Sequence, residues 1–196
     1  GYMCRLYGVE RGKKVWHGGK APIFAFREKE QFEQFEDRFF PEARQSLAAV
    51  ANIYGLCHLS TSGEVVISCY RGNDPNDFGQ MLVHETSHGF VFRYKTKANL
   101  PVWVDEGMAE YIGEKMVPTS DAVRNKERAG LLQLKETRRL GANFFEKEAS
   151  LTAWQYGAAS SLNKFLITSG QPRYVAFIEA MKEGRRDPKS IDATAL

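Results

Sequence analysis

The spacing of apolar side chains changes along this chain, from a strand-like pattern near the N-terminus to a helical pattern over most of the remainder. Residues 64–70 have the clearest strand pattern in the chain, with three consecutive β-branched residues, Val65, Val66 and Ile67. Residues 13–27 are also predicted to be extended, with a turn at Gly18 and Gly19. The strand positions predicted there are Val15, Ile23, Phe24 and Phe26. These segments predict a small N-terminal sheet.

Helical spacing first appears in residues 28–53, where Pro41 is expected to break the helix. Further helices are predicted to end near Arg93, Met116, Arg139, Thr168 and Gly184.

Three of these helices have recognisable first turns. Asn76 or Asp77 is available to cap the helix that ends near Arg93. Pro101 suits the first turn of the next helix, because its missing N–H has no partner there in any case. Thr152 and Gln155 have the spacing of a capping box.

The predicted fold is therefore α+β, in one domain that spans residues 1–196. Its parts are a sheet-containing segment, residues 1–77, two helices within 78–117 and a helical C-terminal lobe, 118–196. A chain of 196 residues is long enough for one sizeable core and short for two.

Composition narrows the class of protein. The chain is 43% hydrophobic and 26% charged, as soluble globular domains usually are. Its net charge is only +3, and the lysines and arginines are scattered, so no nucleic-acid partner is expected. No apolar run approaches the length of about 18 residues that predicts a transmembrane helix.

The compartment and the oligomeric state stay open. The N-terminus lacks the charged-then-apolar pattern of a signal peptide. An extracytoplasmic or secreted location, with any signal segment missing from this sequence, is slightly favoured.

The chain has three cysteines, Cys4, Cys57 and Cys69. Cys57 and Cys69 flank a plausible hairpin turn at residues 60–63, and they would face each other if the strands pair about it. The alternatives are a cross-strand disulfide and two buried free thiols. None of the three has the C-x-x-C spacing of a zinc site.

The strongest chemical signal is His84-Glu85-Thr86-Ser87-His88, an H-E-x-x-H motif. Side chains four residues apart lie on the same face of a helix, so both imidazoles can reach one ion. Glu85 borders that ion and is well placed to take a proton from a bound water. The alternative interpretation is two surface histidines on a polar helix face.

A catalytic zinc needs a third protein ligand. Glu106 follows His88 by 18 residues, on the next predicted helix, and can supply it. Glu110, one turn further on, can accept a hydrogen bond from a ligating histidine. Gly107 removes a side chain where the two helices are expected to approach closely. The alternative is an ordinary amphipathic helix with two solvated glutamates.

The H-E-x-x-H motif, followed by the W-x-x-E-G-x-A-E-Y pattern of residues 103–111, resembles the gluzincin branch of the MA-clan zinc metallopeptidases. It is most similar to the short peptidase MA-like domains, and the resemblance covers residues 65–177. It implies a zincin-like fold in which His84, His88 and Glu106 bind Zn²⁺. By the same resemblance, Glu85 is the general base and Glu110 orients a ligand.

Two signatures of related families are missing. The G-x-M-E-N motif of the aminopeptidases and the N-E-x-x-S-D form of the thermolysin-type second motif are both absent from the sequence. The subfamily, the substrate and the choice between endo- and exopeptidase action therefore stay open.

The resemblance also bears on the strand at residues 64–70 and on Tyr156. In gluzincins the strand before the motif helix forms the cleft edge, although residues 64–70 could equally be an interior strand. Gluzincins commonly use a downstream Tyr or His to donate a hydrogen bond to the developing oxyanion, and Tyr156 is a candidate. Its hydroxyl could instead be only the polar tip of a buried ring. His58 and His17 are weaker candidates.

The function predicted from the sequence is zinc-dependent hydrolysis of peptide bonds, with a peptide or protein as substrate. The alternatives are a zinc-containing but non-hydrolytic peptide-binding domain and a metal-free helical scaffold.

Overall fold

The computed structural model describes residues 1–10, 19–43, 54–147 and 150–184. Within these ranges the chain forms seven α-helices and one three-stranded sheet, which confirms the predicted α+β class. The predicted strand position at Val15 and the turn residue Gly18 lie outside the described residues, as does the expected helix over residues 44–53.

The first described element is a short helix, α1 (Tyr2–Leu6), which the sequence pattern did not predict. A helix of five residues is too short to display a 3.6-residue period. It exists because Leu6 and the adjacent Tyr7 are buried in the helical core, at 5% and 4% exposure.

The predicted strand near residue 25 is β1 (Ile23–Phe26), and the helix after it is α2 (Lys29–Phe39). The break expected at Pro41 is confirmed. Phe40 leaves helical geometry at φ −139°, as the steric demand of a following proline favours, and a single 3₁₀ turn, Pro41–Ala43, follows.

A hairpin completes the sheet. Its strands are β2 (Gly55–Leu59) and β3 (Val65–Tyr70), which pair antiparallel, while β1 pairs parallel with β3. The strand order is β1-β3-β2. The strand at residues 64–70 is therefore interior, and its assignment to the cleft edge is wrong. The strand at the sheet edge on this side is β2, because β2 pairs with the side of β3 that β1 leaves free.

The hairpin register also decides the cysteine pairing. Cys57 lies opposite Ile67, and Cys69 lies opposite Gly55, so the two cysteines are offset by two positions. The expectation that they face each other is wrong. Facing cysteines would require a hairpin centred on residue 63, but the observed pairs centre it on residue 62. Gly63 adopts φ +94° in this turn, a conformation that glycine accommodates readily. All three thiols are free.

The remaining helices agree closely with the predicted set. They are α3 (Pro75–Arg93), α4 (Val102–Met116), α5 (Ala122–Thr137), α6 (Ala153–Ser169) and α7 (Gln171–Lys182).

The helix caps agree in part with the sequence. The capping box of Thr152 and Gln155 is confirmed at the start of α6. The prediction of Asn76 or Asp77 as N-cap of α3 is wrong. Asp74 caps this helix, with its Oδ1 2.7 Å from the Asn76 backbone nitrogen, and Pro75 occupies the first helical position.

The elements stack in layers around α3. On one face of the sheet, α2 packs against β1 and β3; on the other, α3 packs against β2 and β3. Behind α3 lies α4, and α6 packs against both α4 and α5. The main core joins these helices through fully buried side chains such as Val104, Met108, Ile112, Ala159 and Ile178.

A smaller core of Val65, Ile67 and Phe92 lies between the sheet and α3. Burying each such side chain contributes about 1.5–3 kcal/mol relative to exposure. Helix α3 is thus fixed from both sides. Among the described residues, no helix is both long enough and apolar enough to cross a bilayer.

Candidate metal centre

Helices α3 and α4 bring together three potential ligands that are far apart in sequence. Nε2 of His84 lies 3.1 Å from Nε2 of His88 and 3.2 Å from Oε2 of Glu106. Nε2 of His88 lies 3.6 Å from the same glutamate oxygen. The structure therefore assembles the three residues that the sequence singled out as ligands.

The triangle of ligand atoms has the size that a tetrahedral zinc requires. With bonds of about 2.0–2.1 Å, a tetrahedral ion separates its ligand atoms by about 3.3–3.4 Å. The observed separations of 3.1, 3.2 and 3.6 Å lie around that value. Two imidazole nitrogens and one carboxylate also form a donor set that zinc binds in catalytic sites. The residues present fit the ion.

The outer nitrogen of each histidine faces a carboxylate. His88 Nδ1 lies 3.2 Å from Oδ1 of Asp105, and His84 Nδ1 lies 3.7 Å from Oε1 of Glu110. A proton on Nδ1 would be attracted to these oxygens, which leaves the Nε2 lone pair free to face the ion. Glu110 thus occupies the position expected from the sequence, although 3.7 Å exceeds a hydrogen-bond distance.

Asp105 was not singled out from the sequence. It immediately precedes Glu106 at the start of α4, and this D-E pair is the signal that could have drawn attention to it. Its Oδ1 and the Nδ1 of His88 are both buried without a well-aligned hydrogen bond, as is the second oxygen of Glu110. These unsatisfied polar atoms lie next to the residues of the ligand triangle.

Lys126 on α5 is a second residue that sequence reasoning missed. Its Nζ donates a hydrogen bond to Oε1 of Glu110, whose side chain is only 1% exposed. The ammonium partly neutralises a carboxylate that would otherwise be costly to bury. No sequence pattern predicts the contact of Lys126 with Glu110, because the contact depends on how α5 packs against α4.

The electrostatics of the cluster favour a cation. Burial by itself lowers the pKa of His88, but Asp105 and Glu106 outweigh it and raise that pKa well above its ordinary value. The pKa of His84 is likewise raised, by Glu106 and Glu110, against the effect of burial. Burial would raise the pKa of Glu106, yet the two imidazoles lower it. The carboxylates thus attract more positive charge than Lys126 supplies.

Glu85 lies beside His84 and lines the same cleft. A Cβ atom at Gly55 would lie 3.2 Å from Cγ of Glu85 and would overlap the sulfur of Met81. Glycine at position 55 therefore lets β2 approach α3 at the level of this glutamate. Burial raises the pKa of Glu85 above its ordinary value, which is the direction that suits a proton acceptor and donor near neutral pH.

Tyr156, in the first turn of α6, is also brought to the cleft. Its ring centroid lies 5.7 Å from Nζ of Lys126, and burial raises the pKa of its hydroxyl. Gly157 makes this placement possible, because a Cβ there would overlap the backbone of Lys126 on α5. Because its pKa is raised, the Tyr156 hydroxyl stays protonated and can donate a hydrogen bond.

Gly107 serves a different contact from the one expected. The sequence placed it between α3 and α4, but a Cβ at this position would overlap the carbonyl of Ala159 on α6. The glycine that faces α3 is Gly113, where a Cβ would lie 2.7 Å from Nε2 of Gln80. Gly107 thus draws α6, which carries Tyr156, towards the ligand helix α4.

The cleft has a volume of about 1220 Å³ and reaches the ligand triangle from solvent. Its walls are β2, the N-terminal half of α3 and the facing turns of α5 and α6. His58 is not among its lining residues and instead contacts Glu36 on the other side of the sheet. It is therefore not an oxyanion donor, and His17 lies outside the described residues.

No family model, no curated protein and no solved structure matches this chain. The resemblance to gluzincins therefore stays a prediction that rests on the motif residues and on the geometry described above.

Proposed function

We propose that this chain is a zinc-dependent peptide hydrolase. The observation that carries the proposal is the convergence of His84, His88 and Glu106, at tetrahedral spacing, on one point at the wall of an open cleft. Zinc, when bound there, would supply Lewis-acid activation of a water molecule and of the scissile carbonyl.

The protein's own residues would handle the protons. Glu85 accepts a proton as the water oxygen attacks the carbonyl carbon, and it returns that proton to the amine nitrogen as the C–N bond breaks. The raised pKa of Glu85 supports both steps. Tyr156 donates a hydrogen bond to the carbonyl oxygen as negative charge develops, which would contribute about 3 kcal/mol to transition-state stabilisation.

Strand β2 supports a peptide as the substrate. The carbonyl of Tyr54 accepts a hydrogen bond from the Tyr70 nitrogen, and Ser60 pairs with Glu64. Because backbone groups of successive residues point to opposite sides in an antiparallel ladder, the N–H and C=O groups of Gly55 and Cys57 point away from β3. An extended peptide could pair with them regardless of its sequence.

The proposal is tested by cleavage of an unbiased peptide library. We expect zinc-loaded wild type to cleave, and chelator-treated protein to regain activity when zinc is restored. Glu85→Gln should keep its zinc and lose at least about 10²-fold in kcat. Glu64→Gln is the matched control, because Glu64 is an exposed glutamate beside the hairpin turn.

One result would contradict hydrolysis, and another would contradict the role assigned to Glu85. Wild type that retains zinc and binds peptides without cleaving any would support the non-hydrolytic peptide-binding domain instead. Activity that survives in Glu85→Gln would remove the glutamate from its assigned role.

A further inference from the structure

We propose that the end of the cleft near the N-terminus of α3 is a subsite for a large apolar, preferentially aromatic, side chain of the substrate. This Tyr54 subsite consists of Tyr54, Tyr70, Phe78 and Met81. The inference rests on the proposed function, because it assigns a substrate class to the same cleft.

Tyr54 is held in place although it is exposed. Its ring stacks on Tyr70, with centroids 5.1 Å apart and an interplanar angle of 23°. It also lies against Gly72, where a Cβ would be 3.3 Å from the ring. Yet 45% of Tyr54 is exposed, and it lines the cleft. A fixed aromatic surface loses little conformational entropy when a ligand covers it.

Helix α3 supplies the other apolar wall. Phe78 and Met81 precede Glu85 by seven and four residues, which places them two turns and one turn away, respectively, along the same side of the helix. Both line the cleft and both are partly exposed. The apolar surface is thus continuous with the row of residues that carries the proposed chemistry.

The subsite lies close to the position of bond cleavage. Gly55, the neighbour of Tyr54 in sequence, is the residue whose Cβ position is 3.2 Å from Cγ of Glu85. One residue of a strand advances about 3.4 Å. A peptide paired with β2 would therefore place a side chain over Tyr54 within one or two residues of the scissile bond.

The charged groups at this end of the cleft are mostly engaged with one another. Arg27 lies 3.5 Å from Glu28, Asp77 accepts a hydrogen bond from Ser120, and Asp74 caps α3. Lys29 lies 3.2 Å from Glu33. Arg71, exposed at the rim, is a cation that would attract an acidic side chain. Burial of apolar surface therefore governs selection here, with glutamate as the informative competitor.

The test measures binding and turnover separately. Zinc-loaded Glu85→Gln is applied to an array of extended peptides in which each position is Phe, Leu, Ser or Glu. Wild type is assayed for cleavage of the same peptides. At one position next to the scissile bond, we expect kcat/KM for the Phe peptide to exceed that for the Ser peptide by about 10- to 100-fold, mainly through a lower KM.

Variants then assign the preference to the subsite. Tyr54→Ala should reduce the Phe-to-Ser ratio to within about threefold, and Tyr54→Phe should retain it, because the ring stays. Phe78→Ala is a second variant for the case in which Tyr54→Ala does not fold. Phe165→Ala is the control, because this aromatic side chain is 62% exposed and lies outside the cleft lining.

The outcomes separate the subsite from the hydrolysis. An aromatic preference that persists in both Tyr54→Ala and Phe78→Ala, or a preference for Glu in wild type, would overturn the subsite and leave hydrolysis standing. Selective binding of aromatic peptides without any cleavage would support the subsite and overturn hydrolysis. Neither binding nor cleavage of any peptide would overturn both.

Discussion

The described residues contain two clusters in which a histidine contacts a carboxylate, and only one of these two has the geometry of a metal site. The cleft cluster is His84, His88 and Glu106. The sheet cluster is Glu36, His58 and Ser68, between α2 and the hairpin. Both place acidic oxygen atoms against an imidazole nitrogen, so composition alone does not distinguish them.

In the sheet cluster one ring nitrogen and one hydroxyl are directed at the carboxylate. His58 Nε2 lies 3.1 and 3.0 Å from the two oxygens of Glu36, and Ser68 donates a hydrogen bond to one of them. Phe40 covers the imidazole, with ring centroids 3.6 Å apart. Glu36 is completely buried. The arrangement is a closed hydrogen-bonded cluster that ties α2 to the sheet.

In the cleft cluster, three atoms that carry lone pairs converge instead. The Nε2 atoms of both histidines and an oxygen of Glu106 face one point, while the opposite ring nitrogens face other carboxylates. A cation site is thus distinguished from a structural hydrogen-bonded cluster by the direction of the donor atoms, more than by the presence of His and Glu.

The largest contrast should appear when one histidine of each cluster is changed. We expect His88→Ala to abolish stoichiometric zinc binding and all peptide cleavage, because two ligands cannot complete the tetrahedral set. His58→Gln, in which the amide can still donate to Glu36, should bind about one zinc per chain as wild type does. Metal analysis after dialysis measures the zinc content of both variants. Equal zinc content in the two would contradict the assignment of the metal site to the cleft cluster.

The converse experiment removes the partner from the closed pair. His58→Ala leaves the carboxylate of Glu36 buried beside Ser68 alone, which should cost about 3–5 kcal/mol in the free energy of unfolding. Glu36→Gln leaves no buried charge and should cost only about 1–2 kcal/mol. Denaturant unfolding of the zinc-loaded proteins gives both values. A loss under about 1 kcal/mol in His58→Ala would show that the pair is not closed to water.

A smaller effect is expected from the carboxylate behind His88. Asp105→Ala should weaken zinc binding about 10- to 100-fold without abolishing it, because the ring loses its orienting partner. Asp105→Asn keeps an oxygen that can accept from Nδ1 and should recover part of the affinity. Competition with a chelator of known affinity measures the change. Unchanged affinity in Asp105→Ala would mean that His88 is oriented by packing alone.

The smallest effect is a pH dependence confined to the cleft cluster. Burial lowers the pKa values of His84 and His88, but the carboxylates outweigh it, so metal-free protein holds protons that zinc must displace. The proton-dependent stabilisation of the metal-free form is complete below the unfolded histidine pKa and is lost as pH rises through the raised values.

The zinc-induced rise in Tm should accordingly grow from about pH 6 to pH 8. Thermal unfolding with and without zinc measures this slope, and His58→Gln should leave it unchanged. A zinc effect that is flat over this range would contradict proton displacement.

The sequence predicted the ligand triangle because helical geometry converts spacing into position. His84 and His88 share a face by their four-residue separation, and the second motif presents Glu106 on the adjacent helix. Most helix bounds followed from periodicity and capping residues for the same reason. These features depend on local structure.

The features that could not be predicted depend on packing between distant elements. Lys126 reaches Glu110 only because α5 lies against α4, and Gly107 faces α6 rather than α3. The position of β2 at the sheet edge depends on β1 pairing with the other side of β3, and the offset of Cys57 from Cys69 depends on the hairpin register. The sheet cluster joins residues 22 and 32 positions apart, without any local signature.

The central claim is that two imidazoles and one carboxylate share a single zinc ion. X-ray absorption at the zinc edge, on protein whose metal content has been measured, tests it most directly. We predict about one zinc per chain in wild type, in a four-coordinate shell of two nitrogen and two oxygen atoms at about 2.0–2.1 Å, and the loss of stoichiometric zinc from Glu106→Ala as from His88→Ala, because only two protein ligands remain in each variant. Substoichiometric zinc in wild type, or about one zinc per chain in Glu106→Ala, would contradict it.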